Sequence, residues 1–283
     1  MASPLLRATL ITTLSRDPST LPPTPQISQL PNPTPKIVTF QLPERYQPVE
    51  TYIADELDCD VVNITIGTGD LQKSFNVHKT PLCKKIPYFD KMFNGSFEEA
   101  STQRATFPED HLVPFMLLIG WVYTKTIEIP KSLECDGSEE DPAPHPTTHL
   151  LRLFVLAEKL MVPKLADATI DLLSKYCAAS CILPHIEYLN EEYKETPEDS
   201  KLRLWIARAI AHQFCFSVSE SYESEPLKVL LADDVYLLGD FLSALKVQQS
   251  NRDGSEPSDP TDFPPCDYHQ HAESEPCPYA QEK

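Results

Sequence analysis

The stretch that decides the fold is Val61–His78, which reads VVNITIGTGDLQKSFNVH. Apolar and polar side chains alternate over Val61–Ile66 and again over Ser74–His78, which is the period-two pattern of half-buried strands. Gly67–Asp70, between the two halves, are residue types that favour a tight turn. The pattern predicts a β-hairpin at the start of the folded region.

After the hairpin the apolar spacing becomes helical. Thr80–Cys83 is predicted as a short helix, and Pro87 occupies the first position of a second helix, where a missing backbone N–H costs nothing. Gly95 suits the end of that second helix. Ala105–Phe107 then reads as a brief edge strand.

A long amphipathic helix follows, with one broad apolar face. That face is predicted to contain Leu112, Phe115, Met116, Ile119, Val122 and Tyr123. Thr126–Ile129 is predicted as another strand. Apolar residues recur at helical spacing from Leu150 to Met161, and Pro163 begins a partner helix that carries apolar residues as far as Tyr176.

Proline marks the ends of the folded regions, because 20 of the 28 prolines fall in three stretches. Residues 1–48 and the acidic segment 250–283 are predicted to be disordered, since they bury too little apolar area to offset chain entropy. Residues 130–147 are predicted to be an acidic, proline-rich insert. The folded part then divides into residues 49–176, which hold the sheet, and residues 177–249, an all-helical extension.

The formal net charge of −18 disfavours direct binding to nucleic acid or to anionic membranes. No apolar run reaches the ~20 residues needed to cross a bilayer. The sequence lacks a secretory signal pattern, so the eight cysteines are expected to be reduced thiols. The expected location is the cytoplasm, the nucleus or both.

Several spaced motifs, taken in order, resemble a BTB/POZ domain over about residues 58–176. The motifs are Cys59-Asp60-Val61-Val62, Phe75-x-Val77-His78-Lys79-x-x-Leu82-Cys83, Tyr88-Phe89-x-x-Met92-Phe93-x-Gly95-x-Phe97-x-Glu99, Trp121-Val122-Tyr123-Thr124 and the run Leu151–Leu165. The segment Tyr193–Arg203 further resembles stand-alone BTB proteins of filamentous fungi. The resemblance implies an α+β fold, a small sheet packed on a cluster of helices, followed here by the helical extension.

The resemblance also implies surfaces for protein partners. Phe97 and Glu99 match a hydrophobic-x-Glu motif of cullin-binding family members, and Tyr123 is expected on the same face. Asp60 and Lys79 match side chains that line a charged pocket near the two-fold interface of family dimers, and they are expected to satisfy one another within one chain or across two. One departure is Lys125, which stands where the family has glycine.

Catalytic chemistry finds little support. A Cys83–His78 nucleophile pair and a Glu98–Glu99 acid/base pair can be written down, but adjacent carboxylates point in different directions and no known catalytic motif accompanies them. His78 is instead interpreted as a hydrogen-bonded core or boundary histidine. No enzymatic activity is expected.

Metal binding is also given little weight, and no metal or other cofactor is predicted. Cys177, Cys181 and His185 have helical spacing, but Pro184 interrupts the helix. The tail residues Cys266, His269, His271 and Cys277 are zinc-ligand types without a recognised finger spacing.

The sequence therefore predicts a non-catalytic protein–protein interaction module that self-associates and acts as a substrate adaptor for a cullin-based ubiquitin ligase. The alternative is a structural or transcription-linked scaffold with no role in ubiquitin transfer. For Phe97, two orientations stay open: the ring packs on its own core, or it points out towards a partner.

Overall fold

The computed structural model describes the following parts of the chain: residues 60–69, 72–130, 145–216, 224–250, 258–271 and 276–277. All of these residues belong to one compact unit, which spans residues 49–283. The predictions for residues 1–48 and for residues 131–144 of the insert lie outside the described residues.

The predicted hairpin is confirmed. Strand β1 (Val61–Ile66) pairs antiparallel with β2 (Lys73–His78), with Val61 opposite His78 and Ile66 opposite Lys73. The inward side chains Val62, Ile64 and Ile66 are fully buried, as their alternation requires. Gly67 and Gly69 adopt positive φ angles of 76° and 60° at the turn, which glycine tolerates without strain.

The predicted edge strand is confirmed as β3 (Arg104–Phe107), which pairs parallel to β1 on the side away from β2. The sheet order is β2-β1-β3. Helices α1 (Lys79–Lys85), α2 (Pro87–Asn94) and α3 (Glu98–Thr102) lie between β2 and β3 along the chain. Pro87 occupies the first turn of α2, as predicted.

Helix α4 (Leu112–Thr124) is confirmed, but the predicted apolar face is rotated. Leu117, Leu118 and Trp121 are buried, whereas Met116 is 38% exposed. Almost every residue of LVPFMLLIGWVYT is apolar, so the spacing alone does not choose between neighbouring faces. The prediction that Met116 lies in the core is therefore wrong.

Two predictions near the insert are also wrong. Thr126–Ile129 forms no strand, and among the described residues nothing extends the sheet beyond β2 and β3. Helix α5 (Pro146–Lys159) already includes the last two residues assigned to the insert, because Pro146 starts the helix and the His145 ring accepts a hydrogen bond from the Thr147 backbone N–H.

Helices α5 and α6 (Pro163–Ser180) form the predicted helix pair. Leu165, Ile170 and Leu173 of α6 are buried, while Met161, between the helices, has a positive φ of 55° and is 60% exposed. Helix α6 continues through residue 176 without a break. The predicted boundary between residues 176 and 177 therefore lies inside a helix, and the division into domains stays a prediction.

The described part of residues 181–250 contains helices and short connections, as predicted. The helices are α7 (Ile186–Glu195), α8 (Lys201–Phe216), α9 (Ser224–Asp233) and α10 (Val235–Ser250). Leu202, Trp205 and Ile206 of α8 are fully buried. The Tyr193 hydroxyl of α7 donates to Asp240 of α10 at 2.7 Å, so the helices of the extension pack on one another.

An arginine cluster that no local sequence pattern predicts joins α5 to α7. The Arg152 guanidinium of α5 donates to the Glu192 carboxylate at 2.9 Å and to Glu191 at 3.4 Å. Glu192 is 5% exposed, and its burial raises the pKa of the carboxyl to about 7 despite the arginine. Burial and the neighbouring Arg152 lower the pKa of His149 to about 4.

The prediction of a disordered tail over residues 250–283 is wrong for residues 258–271. Two short 3₁₀ helices, Pro260–Asp262 and Pro265–Tyr268, pack against α6 and α8. Tyr268 is 2% exposed and His269 is 1% exposed. A proline-rich, acidic composition predicts disorder only where no distant part of the chain offers contacts.

A second arginine cluster supplies those contacts. Arg208 of α8 donates to Asp267 at 2.8 Å and to the Tyr268 hydroxyl at 3.0 Å. Its guanidinium also lies over the Phe263 ring, 3.7 Å from the ring centroid. These partners lie more than fifty positions away along the chain, which places them beyond the reach of local sequence patterns.

No helix in the described residues is both long enough and apolar enough to cross a membrane.

Candidate partner-binding surface

The loop that presents Phe97 begins where α2 ends, at Gly95. A Cβ atom on Gly95 would lie 2.1 Å from the Lys91 carbonyl oxygen, so any other residue would force the backbone to move. The φ of Gly95 is −86°, which is not the left-handed conformation typical of a glycine cap. The prediction that Gly95 ends the helix is confirmed, and the reason is close backbone approach.

Phe97 points outward. It is the residue before the first turn of α3, and its side chain is 60% exposed. Phe89 and Phe93 of the preceding helix α2 are at most 1% exposed and stack with ring centroids 6.0 Å apart, so these two rings, unlike Phe97, belong to the core. Of the two orientations left open by the sequence, the structure shows the outward one.

Glu98 and Glu99 occupy the first turn of α3, where the helix dipole favours negative charge. Glu98 is exposed and Glu99 is half-buried, so the two carboxyl groups have different surroundings. Gln103 donates its backbone N–H to the Glu99 carbonyl at 2.8 Å and closes the short helix. The exposed phenylalanine and its two glutamates therefore sit on an ordered turn.

Tyr123 is half-buried on α4 and is bound to the end of β2. Its hydroxyl accepts a hydrogen bond from the His78 backbone N–H at 3.0 Å and shares a second one with His78 Nδ1 at 3.0 Å. His78 is thus a hydrogen-bonded boundary residue, as predicted. The hydrogen-bond and ring contacts seen in the described residues do not join Tyr123 to Phe97, so a common face for both stays a prediction.

Asp60 and Lys79 lie next to each other without forming an ion pair within the chain. The Lys79 backbone N–H donates to the Asp60 carbonyl at 2.9 Å, whereas the Lys79 ammonium donates to the Phe93 carbonyl at 3.1 Å. Asp60 is exposed, so its charge is solvated. Mutual side-chain pairing inside one chain is therefore wrong, and pairing across two chains stays a prediction.

The Cys83–His78 pair considered for nucleophilic chemistry is not formed. His78 faces Tyr123, and Cys83 is a buried thiol whose pKa is raised mainly by that burial. A buried thiol with a raised pKa is a poor nucleophile.

Of the two cysteine–histidine sets considered for metal binding, the structure brings only one together. Cys177 is buried inside α6 and Cys181 is exposed where α6 ends, and within the described residues their sulfur atoms do not come together with a His185 ring nitrogen. The four tail residues, in contrast, are brought together. The ligand atoms of Cys266, His269, His271 and Cys277 all lie within 4.8 Å of one another.

Comparison with known proteins agrees with the fold and the motifs. A scan against protein-family models matches residues 54–176 to the BTB/POZ domain. A comparison of the whole chain with curated proteins gives no match. The three-stranded sheet and the helices around it agree with this match, so residues 54–176 form a BTB/POZ domain, which is a protein–protein interaction domain.

Proposed function

We propose that this chain is a substrate adaptor of a cullin-based ubiquitin ligase in the cytoplasm or nucleus. In this proposal the BTB domain self-associates and contacts the cullin scaffold through three side chains: Phe97, Glu99 and Tyr123. The helical extension or a segment outside the BTB domain would hold the client protein.

The observation that supports the proposal most is the exposure of Phe97. The Phe97 ring is 60% exposed on an ordered turn. Covering it with a partner's apolar groove would remove this apolar surface from water and so contribute binding free energy. Ordering the loop beforehand lowers the entropy cost of binding. Glu99, two residues on, adds a directional hydrogen-bond acceptor beside the ring.

Capture by purified cullin tests this surface. Phe97→Ala is expected to weaken binding at least about tenfold, the effect of losing a central aromatic anchor. Glu99→Ala is expected to weaken binding more than Glu98→Ala, because only Glu99 matches the motif. Unchanged capture by the Phe97→Ala, Glu99→Ala double variant would reject the assigned surface.

The chain offers a matched control for the loss of an exposed aromatic ring. Tyr236 of α10 is also 60% exposed but lies in the extension, outside residues 54–176. Tyr236→Ala is expected to leave cullin capture unchanged. An equal loss in Tyr236→Ala and Phe97→Ala would mean that the capture reports general surface hydrophobicity.

Self-association rests on Asp60 and Lys79, whose side chains do not pair within the chain. Light scattering of the full chain at micromolar concentration is expected to give a dimer. Lys79→Asp is expected to weaken the dimer, and adding Asp60→Lys is expected to restore it if the two side chains meet across a two-fold axis. A monomeric native chain would reject self-association.

The cullin experiment also separates the two functions considered above. A folded chain that self-associates but captures no cullin would support the alternative, a structural or transcription-linked scaffold without ubiquitin transfer.

A further inference from the structure

The carboxyl-terminal segment gathers four metal-ligating side chains at one point on the surface of α6. Their ligand atoms, two sulfurs and two ring nitrogens, lie within 4.8 Å of one another. In a tetrahedral zinc site with Zn–N near 2.0–2.1 Å and Zn–S near 2.3 Å, ligand atoms are roughly 3.3–3.8 Å apart. The cluster is therefore at most about 1.0–1.5 Å too open for zinc.

Part of the cluster already has that spacing. Nδ1 of His269 lies 3.4 Å from the Cys277 sulfur, and the Cys266 sulfur lies within 4.8 Å of the Cys277 sulfur. We propose that one zinc ion is bound by four side chains: Cys266, His269, His271 and Cys277.

His269 is oriented for this role by a residue of α6. Its Nε2 lies 2.9 Å from an Asp171 carboxylate oxygen, and the imidazole is 1% exposed. The carboxylate keeps the proton on Nε2, which leaves Nδ1 with the lone pair that a metal requires. Zinc-binding histidines commonly have such a carboxylate behind them, which fixes the ring and raises its basicity.

The ligands stand on a segment that other contacts already hold. The Gln270 backbone N–H, between the two histidines, donates to Asp167 of α6 at 2.8 Å. Upstream, Tyr268 donates its hydroxyl to the Pro260 carbonyl at 2.8 Å and is held by Arg208. These contacts do not involve the ligand atoms. The segment that carries Cys266, His269 and His271 is therefore positioned independently of the metal.

The donor set selects zinc over harder cations. Thiolate sulfur and imidazole nitrogen are the ligands of structural zinc, whereas magnesium and calcium take oxygen ligands. Binding replaces the two thiol protons, which leave to solvent, and two thiolates with two neutral imidazoles then give a site of zero net charge around Zn²⁺. Four protein ligands leave no position for water, so the site is structural and ties the tail to α6.

Elemental analysis of the full chain, expressed with zinc and purified in reducing buffer, tests the proposal. We expect about one zinc ion per chain. The double variant Cys266→Ser, Cys277→Ser is expected to lose the zinc, because hydroxyl groups do not replace thiolates as zinc ligands. The matched control is Cys181→Ser, Cys215→Ser, which removes two exposed cysteines outside the cluster and is expected to keep the zinc.

A second measurement does not depend on a ligand variant that folds. Replacing zinc by Co²⁺ in the native chain is expected to give the d–d bands of a tetrahedral ion together with thiolate charge-transfer absorption. Asp171→Ala is expected to keep both kinds of band while weakening metal affinity by about 10–100-fold, because it removes only the carboxylate behind His269.

The proposal is overturned by zinc at background level in a folded native chain, or by equal zinc in the two double-cysteine variants. It is also overturned if Co²⁺ gives no thiolate charge-transfer band, or if Cys266 and Cys277 are found as a disulfide in the chain purified under reducing conditions.

Discussion

Each of the two arginine clusters joins separate parts of the chain, but the carboxylates that they bind are buried to different extents. The Arg152 cluster joins α5 of the BTB domain to α7, and the Arg208 cluster joins α8 to the tail. The two arginine side chains are about equally buried, at 14% and 13% exposure. Their carboxylate partners are not equally buried, since the side chain of Glu192 is 6% exposed and that of Asp267 is 33% exposed.

That difference in burial decides what each arginine contributes. Around Glu192, the loss of hydration outweighs the attraction of Arg152, and Glu191 and Glu195 add further repulsion, so the pKa of the carboxyl rises to about 7. Around Arg208, stacking on Phe263 and a hydrogen bond to Tyr268 accompany an ion pair that stays partly hydrated. The comparison shows that a buried ion pair can be sensitive to pH where a stacked arginine is not.

The largest effect is expected for Arg152→Ala, which leaves Glu192 buried without its cation. The free energy of unfolding should fall by about 3–5 kcal/mol near pH 8. Near pH 6 the loss should be smaller, because Glu192 can then take up a proton. Denaturant titrations at the two pH values measure the difference, and an equal loss at both would contradict the pKa of Glu192.

Glu192→Gln tests the same pH dependence of stability by removing the carboxyl group that titrates. Since the folded-state pKa of about 7 lies above the ordinary value of 4.5, the contribution of Glu192 to stability is complete below pH 4.5 and is lost as the pH rises to about 7. The native chain should therefore lose about 3 kcal/mol relative to Glu192→Gln over this range. Parallel stability profiles for the two proteins would contradict the prediction.

Arg208→Ala should cost about 2 kcal/mol, the sum of a stacking contact and a hydrogen bond to a buried hydroxyl. The loss should change little between about pH 6 and pH 8, because the stack contains no group that titrates. Thermal unfolding and limited proteolysis of the tail, both with a chelator present, measure it. Arg104→Ala, which removes an exposed arginine on β3, is the control and should leave the tail protected.

The smallest effect is expected for Glu191→Ala. Glu191 also contacts Arg152, but at 3.4 Å and with 59% of its side chain exposed. Exposed ion pairs contribute about 0–1 kcal/mol, so the free energy of unfolding should change by less than about 0.5 kcal/mol. A loss close to that of Arg152→Ala would show that exposure is not what separates the two carboxylates.

The sequence predicted those parts of the fold that depend on neighbouring residues. The hairpin follows from strict alternation around Gly67 and Gly69, and α2 and α6 begin at prolines that suit a first helical turn. The face of α4 could not be chosen, because its residues are apolar nearly all round. The packed tail could not be predicted either, since it depends on Arg208, which lies about sixty residues away.

The candidate site divides in the same way. The motif around Phe97 could be read from the sequence, but an apolar ring suits a core as well as a partner, so its orientation is known only from its 60% exposure in the structure. The tail ligands have an unfamiliar spacing, and their convergence depends on α6, which supplies Asp167 and Asp171. A pattern of residues gives the chemistry of a site, while its geometry comes from distant contacts.

Helix α6 runs from the BTB domain into the helical extension. Its 18 residues make a rod about 27 Å long that begins beside α5 and ends beyond the BTB match. A rod does not bend as a linker does, so a client held by the extension would be presented at a set distance and angle from whatever binds the sheet side. Inserting one residue into the middle of α6 would turn the rest of the helix by about 100°, so Leu173 and Cys177 would leave the core face that they share with Leu165 and Ile170.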